Sequence, residues 1–297
     1  MSFVPQHSNL PCLFYSDPHF TTFSGVSFDY HGECDLVMLA SPGFASDSGL
    51  LIHIRTKRVD GRLFSYSYIS AVAVRIGNDI LEIQEDGILI VNGKLYTGDV
   101  TCDDVPFPTE FATYSLTKNM IGKLKKITQY VLNIDRVGNE SKYPNMSMKP
   151  RTITIHANPR TRMLSVKIDG HFHDGVGLLG EPLAGDRLLG RDGITNMSQD
   201  WNKYGEEWQV KNTEPRLFQD HRAPQYPDPC TYQDGKLMKT HNLRHRHLAY
   251  IENGMGLVTK EAASEACSNY KGVNKNNCIH DVMVLEDLEV AEDPAYI

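Results

Sequence analysis

The chain reads ISAVAVRIGNDILEIQEDGILIVNGK from Ile69 to Lys94. Short runs rich in Ile and Val partly alternate with polar residues and are separated by turn residues, notably Gly77-Asn78-Asp79 and Asn92-Gly93. An Asn-Gly pair is favoured in two-residue hairpin loops because both central residues of that turn adopt a positive φ. The stretch therefore predicts consecutive β-strands joined by tight turns.

The same pattern of short apolar runs separated by turn residues extends in both directions, from Phe20 to about Ile168. Further predicted strands cover Leu50–Arg58, Thr152–His156 and Arg162–Ile168, with Gly, Asn and Asp residues between them. Many short strands at this spacing favour a sandwich of antiparallel sheets over βαβ units. We therefore predict a mainly β fold that resembles an antiparallel β-sandwich.

The composition of the sequence changes after Gly170. A Gly- and Asp-rich loop runs from His171 to Gly193, and a Pro-rich stretch covers Pro224–Pro229. From Thr259 the residues TKEAASEAC predict a helix with Thr259 as its N-cap, and a second short helix is predicted over Ile279–Leu288. These changes divide the chain into three parts: a β domain over residues 12–215, an irregular Pro- and His-rich connector over residues 216–258, and a small helical tail over residues 259–297.

The charge and hydropathy of the chain exclude some classes of protein. The formal net charge is -7, which argues against a nucleic-acid binder, since such proteins usually carry a basic stripe. No apolar run reaches the roughly 18 residues that a membrane-spanning helix requires. The N-terminal stretch MSFVPQHSNLPC lacks the basic start and apolar core of a secretory signal. We take the chain to be an excised domain or a fragment whose leader lies elsewhere.

The cysteines and the N-glycosylation sequons indicate which covalent modifications the chain could carry. The chain has six cysteines and no C-x-x-C pair, which argues against zinc-ribbon and thioredoxin-like sites. Six thiols permit fifteen complete pairings and also permit none. Three N-x-S sequons are available for glycosylation if the chain is secreted, at Asn139, Asn145 and Asn196.

Several separated motifs occur in a defined order along the chain. They are Ser16-Asp17-Pro18-His19-Phe20 through Gly25, Gly32-Glu33-Cys34, Gly177-Leu178-Leu179-Gly180, Tyr204-Gly205-Glu206-Glu207-Trp208-Gln209-Val210, Arg216-Leu217-Phe218, and Cys267 with Cys278-Ile279-His280-Asp281-Val282. In order and spacing they resemble the von Willebrand factor type D domain family. The resemblance implies a non-catalytic structural or adhesive domain, secreted or displayed at the cell surface. Its partners would be other extracellular proteins or the matrix.

The resemblance also implies a calcium site between the first motif and the loop after Gly180. Asp17 matches the family's Asp, and Glu181 stands where the family has Asn. Leu183 replaces a further Asn or Asp, so Asp186 and Asp192 are the candidate substitutes. Calcium takes six to eight oxygen ligands, and extracellular modules bind it with Kd values of about 10⁻⁴–10⁻³ M. We expect weak calcium binding at this site.

The same resemblance implies a disulfide framework. Cys34 keeps its family partner beyond the Trp motif, which here is Cys230, and Cys267 is expected to pair with Cys278. Leu179 replaces the family's Cys, so Cys12 loses its usual partner and either pairs with Cys102 or stays free. The family's multimer-forming C-x-x-C is absent, which argues against covalent polymerisation.

Other hypotheses concern different chemistry. A metal-dependent hydrolase would use His171 and His173, or the group His241, His245 and His247. The i, i+4 pair in that group has zinc-ligand spacing on a helix, but no Glu lies between the two histidines as in H-E-x-x-H. A lipid-carrier fragment is a third alternative, because type D domains also occur in large lipid-transfer proteins. The Asp17-Pro18 bond is cleaved autocatalytically in some mucin-type relatives; here the alternative is a stable turn.

Overall fold

The computed structural model describes most of the chain in separate ranges. They are residues 12–13, 18–44, 49–60, 65–96, 105–108, 112–121, 127–136, 151–159, 161, 163–170, 172, 174–182, 184–221, 225–230 and 258–292. The strands within them are β1 (Cys12–Leu13), β2 (His19–Thr21), β3 (Ser27–Asp29), β4 (Asp35–Ser41), β5 (Leu50–Asp60), β6 (Ser65–Ile76), β7 (Asp79–Gln84), β8 (Leu89–Val91), β9 (Lys94–Leu95), β10 (Val105–Pro108), β11 (Ala112–Ile121), β12 (Ile127–Arg136), β13 (Arg151–Asn158) and β14 (Met163–Asp169).

These strands form two six-stranded antiparallel sheets and one small hairpin. The first sheet has the order β4-β5-β6-β7-β8-β9, and the second has the order β1-β14-β13-β12-β11-β10. Strands β2 and β3 pair with each other in the hairpin. The predicted turn between β8 and β9 is present, with φ of 48° at Asn92 and 77° at Gly93. The prediction of a mainly β, antiparallel fold is confirmed.

One hydrophobic core joins the two sheets. Leu132 and Ile134 of β12 are buried while Val131 and Asn133 are half-buried, as the two-residue period of a strand requires. They share this core with apolar residues of the first sheet, for example Ile52 and Val72. Strands β6 and β14 contact one another across the interface. The sheets therefore pack against each other as layers of a sandwich.

Helices occupy the later part of the chain. They are α1 (Trp201–Glu207), α2 (Lys260–Ala266), α3 (Gly272–Val284) and a 3-10 helix over Leu288–Glu292. The predicted N-cap of α2 is present, because the Thr259 hydroxyl accepts a hydrogen bond from the Ala262 N–H. Helix α3 begins at Gly272, not at the predicted Ile279, and ends at Val284. Its first turns contain Gly, Val and Asn, which have low helix propensity, so tertiary packing rather than local preference fixes its start.

Two disulfides are present among the described residues, and both were predicted. Cys34 is bonded to Cys230 with a Cα–Cα distance of 5.3 Å, and Cys267 is bonded to Cys278 at 5.9 Å. All four residues are fully buried. The Cys12 side chain and all of Cys102 lie outside the described residues, so their pairing stays a prediction.

The two disulfides belong to separate cores. The tail core contains Cys267 and Cys278 together with other buried residues of the helices. The main core contains Cys230 and also Leu217 and Phe218. Main-core packing therefore continues beyond residue 215, the predicted end of the β domain. The division into three parts itself stays a prediction.

His53 lies on β5 with its side chain buried under the segment that follows Trp208. It is 1 % exposed, and it lines a pocket with Gln209 and Phe218. Neither ring nitrogen has a hydrogen-bond partner among the described residues. Burial, and to a smaller extent Arg75 and Arg191, lower the pKa of His53 from 6.5 to about 3.

This histidine makes stability dependent on pH. The pKa of His53 is lower in the folded state than in the unfolded state, so only the unfolded chain binds the proton as the pH falls below about 6.5. The free energy of unfolding should therefore decrease between pH 6.5 and about 3, by at most about 1.4 kcal/mol per pH unit from this group. We expect His53→Leu to reduce that slope in urea denaturation measured at several pH values.

The exposed His221, which lines the same pocket, supplies the control. His221→Ala should keep the wild-type slope. If His53→Leu and wild type lose stability in parallel as the pH falls, His53 does not remain neutral in the folded chain.

Candidate functional site

The free edge of β4 is covered by two segments from far along the chain. The backbones of Ala40 and Val176 exchange hydrogen bonds of 2.7 and 2.9 Å, and the Leu178 N–H donates to the Val37 carbonyl at 3.1 Å. On the same strand, the Val37 N–H donates to the Trp208 carbonyl at 2.8 Å. The Gly-Leu-Leu-Gly and Tyr-Gly-Glu-Glu-Trp motifs therefore meet on the strand that follows the Gly-Glu-Cys motif.

Glycine at position 177 is required by this close approach. Its φ is 140°, and a Cβ at this position would lie 2.4 Å from the Met38 carbonyl oxygen. Only glycine adopts such a conformation readily and leaves space for the neighbouring backbone. Leu179, which stands in place of the family's Cys, is fully buried in the main core. The loop therefore keeps its position by packing and backbone hydrogen bonds.

The β2–β3 hairpin lies against the same loop. The Phe23 N–H donates to the Leu179 carbonyl at 3.0 Å, and the place for a Cβ at Gly180 lies 3.5 Å from the Thr22 side chain. The structure thus brings the segment just after Asp17 into contact with the loop just before Glu181. Asp17 itself, like Leu183, lies outside the described residues.

The acidic residues of the loop are arranged in different ways. Glu181 is half-buried, and its Oε1 lies 3.6 Å from the place for a Cβ at Gly193. Asp186 is exposed. Asp192 is exposed and accepts hydrogen bonds from the Thr195 hydroxyl, the Thr195 N–H and the Ile194 N–H, which lower its pKa to about 2. Glu181 and the 190–193 turn are therefore neighbours, and the Asp192 carboxylate is ionised and already organises that turn.

Arg191 fixes the turn to the Trp motif, a role that the sequence did not predict. Its guanidinium donates to the carbonyls of Glu207 at 2.7 Å and Gln209 at 2.9 Å, and it pairs with Glu214. It also lies over the Trp208 ring, 4.9 Å from the centroid. These donors give hydrogen bonds to carbonyl groups that would otherwise need water as a partner.

The histidine of the Asp-Pro-His motif belongs to a second, buried cluster. His19 pairs with Asp29 across the hairpin, with 2.6 Å between Nδ1 and Asp29 Oδ1. Its Nε2 lies 3.4 Å from Oδ1 of Asp281 in α3, which is 1 % exposed. His280 lies beside them, with Nδ1 3.5 Å from the same Asp281 oxygen. The cluster therefore connects the hairpin with the helical tail.

Burial and charge act in opposite directions in this cluster. Burial by itself would lower the pKa of His19, but Asp29 and Asp281 outweigh it and raise that pKa well above its usual range. Burial would raise the pKa of Asp281, yet hydrogen bonds from His19 and His280 hold it at about 2. The pKa of Asp29 is lowered for the same reason, its contact with His19. The buried charges thus stabilise one another.

Sequence reasoning did not assemble this cluster. His19, His280 and Asp281 all stood in motifs, but nothing in the sequence indicated that positions so far apart would meet. The pairing of Asp29 with His19 could have been predicted, because a hairpin that pairs Thr21 with Ser27 places Asp29 opposite His19.

Other predicted site residues fall in different places. Asn196 is exposed, and its Oδ1 accepts hydrogen bonds from the Ser198 N–H at 3.0 Å and the Ser198 hydroxyl at 2.7 Å. The remaining predicted residues lie outside the described part of the chain, namely Asn139, Asn145, His171, His173, His241, His245 and His247.

Gly205 in the Trp motif gives a direct test of this arrangement. A Cβ there would lie 2.3 Å from the fully buried Tyr30 ring, and Gly32 is closed to side chains by the same ring. Gly→Ala inside a helix normally stabilises by about 1 kcal/mol. We expect Gly205→Ala to destabilise instead, by about 1–3 kcal/mol, because overpacking outweighs helix propensity. Urea denaturation measures the change.

The exposed Lys203→Ala in the same helix is the control and should change stability by less than about 0.5 kcal/mol. Adding Tyr30→Leu should relieve the clash, so the double variant should lose less than the sum of the single changes. Stabilisation by Gly205→Ala alone would show that Tyr30 does not occupy this space.

Comparison with protein-family models matches residues 12–139 to the von Willebrand factor type D domain. The match begins at β1, includes the Asp-Pro-His and Gly-Glu-Cys motifs, and extends past β12. The Gly-Leu-Leu-Gly and Trp motifs lie beyond it, but they are hydrogen-bonded to β4 inside it. The resemblance predicted from the motifs is therefore confirmed over residues 12–139, which match the von Willebrand factor type D domain.

Proposed function

We propose that this chain is a non-catalytic structural domain of a secreted or surface-displayed protein, and that it mediates protein association or matrix assembly. Type D domains are a non-enzymatic, generally extracellular family. The observation that carries the proposal is the Cys34–Cys230 disulfide, which joins the Gly-Glu-Cys motif, immediately before β4, to a segment beyond the Trp motif. Such bridges persist in oxidising compartments. No helix in the described ranges is long and apolar enough to cross a bilayer.

The secretory route tests this proposal. We expect the chain, expressed in eukaryotic cells behind an added leader, to be recovered from the medium with both disulfides formed. Cys34→Ala with Cys230→Ala should lower recovery strongly, because a bridge that closes so long a loop contributes about 5 kcal/mol in the chain-entropy model. Cys267→Ala with Cys278→Ala closes a short loop, worth about 3 kcal/mol, and serves as the comparison.

Non-reducing peptide mapping of the secreted protein identifies the bridges, and retention on immobilised extracellular matrix measures association. A glycan on the exposed Asn196, removed by Asn196→Gln, would support passage through this route. The proposal is wrong if the chain folds to the same Tm in reduced, cytosolic form and the secreted form does not bind matrix more than albumin-coated surfaces.

Calcium binding by Asp17, Glu181, Asp186 and Asp192 is part of the proposal. It is supported by the hydrogen bond between Phe23 and Leu179, which holds the β2–β3 hairpin against the loop that precedes Glu181. It is also supported by the position of Glu181 beside the 190–193 turn. Glycine carbonyls of that turn would supply the oxygen ligands that Leu183 lacks.

Calorimetric titration of calcium tests this site. We expect a Kd of about 10⁻⁴–10⁻³ M for wild type. Asp17→Asn and Glu181→Gln should each weaken binding at least about tenfold, because a charged ligand is lost. The exposed Asp228→Asn should leave it unchanged. Identical titrations for all four proteins would remove calcium from the proposed function.

A further inference from the structure

We propose that His19, His280 and Asp281 form a zinc site that fastens the helical tail to the β2–β3 hairpin. The site is separate from the calcium hypothesis, which uses oxygen ligands of other residues. It also differs from the histidine groups considered for a hydrolase. One nitrogen comes from the hairpin, and one nitrogen and one carboxylate oxygen come from α3.

The distances between these ligand atoms suit a tetrahedral ion. Zinc binds nitrogen and carboxylate oxygen at about 2.0–2.2 Å, so neighbouring ligand atoms of a tetrahedron lie about 3.3–3.5 Å apart. The separations from Asp281 Oδ1 are 3.4 Å to His19 Nε2 and 3.5 Å to His280 Nδ1. Each of the three residues offers one ligand atom that lies within 4.8 Å of a ligand atom of each of the others. A small movement of His280 would also set its Nδ1 at a similar distance from His19 Nε2.

Asp29 orients His19 in the way that metal sites require. A metal-bound histidine usually gives its other ring N–H to a carboxylate, which fixes the tautomer and the ring orientation. The Asp29 carboxylate accepts from His19 Nδ1 at 2.6 Å, so Nε2 is the atom turned toward α3, where zinc would replace the Nε2 proton that otherwise faces Asp281. The β2–β3 register places Asp29 directly opposite His19. The supporting carboxylate is therefore part of the hairpin itself.

The kind of ligand identifies the class of metal. Two imidazole nitrogens and one carboxylate suit zinc and similar transition metals, whereas calcium requires a shell of oxygen atoms. His19 and Asp281 are buried, while the His280 side chain is 17 % exposed. The partly exposed His280 is the side from which an ion, and water as its fourth ligand, would approach.

The position of the site gives it a structural effect. The tail has its own small core, separate from the main core. A metal held by residues of both would add a bond between them, and ligand binding to the folded state alone raises its stability. Zinc would thus fix the tail against the type D domain.

The experiment uses the full chain after removal of metal with a chelator. Zinc affinity is measured by competition with a chromophoric chelator, and cobalt substitution reports tetrahedral coordination by its visible absorption. We expect wild type to bind one zinc at this site. His280→Ala should bind it at least about 100-fold more weakly, and Asp29→Asn about 10–100-fold more weakly.

His221→Ala is the matched control, an exposed histidine elsewhere in the chain, and should keep wild-type affinity. Zinc should also raise the Tm of wild type and of His221→Ala, but not that of His280→Ala. If His280→Ala does not fold, NMR of the wild-type imidazole nitrogens decides, because zinc should shift His19 Nε2 and His280 Nδ1. Unshifted nitrogens, unchanged zinc affinity in His280→Ala, or no zinc binding by wild type would each overturn the proposal.

Discussion

The structure depends on covering the free edge of β4. An edge strand presents unpaired N–H and C=O groups that must find partners. Here the partners are the backbones around Val176–Leu179 and Trp208–Val210. Both segments lie far beyond the strand in sequence, so the sandwich is completed only when the later chain folds back. The Cys34–Cys230 disulfide makes that return permanent from a position next to the same edge.

Arginines hold the returning segments in place. Arg191 binds the Trp motif from the loop side, while Arg55 on β5 pairs with Asp35 and Asp220 and lies 4.3 Å from the Phe218 ring centroid. A planar guanidinium has several donors, so it can bind carbonyls and carboxylates that a short helix or strand would leave without hydrogen-bond partners. These contacts fix the returning segments against the first sheet.

The His19 cluster gives the Asp-Pro-His motif a structural purpose. A carboxylate on each side of the imidazole makes a buried charged group stable, which an isolated histidine at that depth would not be. The same contacts join the hairpin, which lies on the loop, to the tail, which carries its own disulfide. The N-terminal motif and the last helix are thus parts of one arrangement.

Local sequence patterns predicted β5 to β8, β13, β14, the turn at Asn92-Gly93 and the N-cap at Thr259, because a two-residue period and turn residues act over short distances. The resemblance to the type D family also predicted the two disulfides that the structure describes. Long-range folding is what requires Gly205 to leave space for Tyr30, places Arg191 on the Trp motif and brings His19 to Asp281. These contacts join positions far apart in the chain. Only the path of the backbone sets such distances, and no local pattern records them.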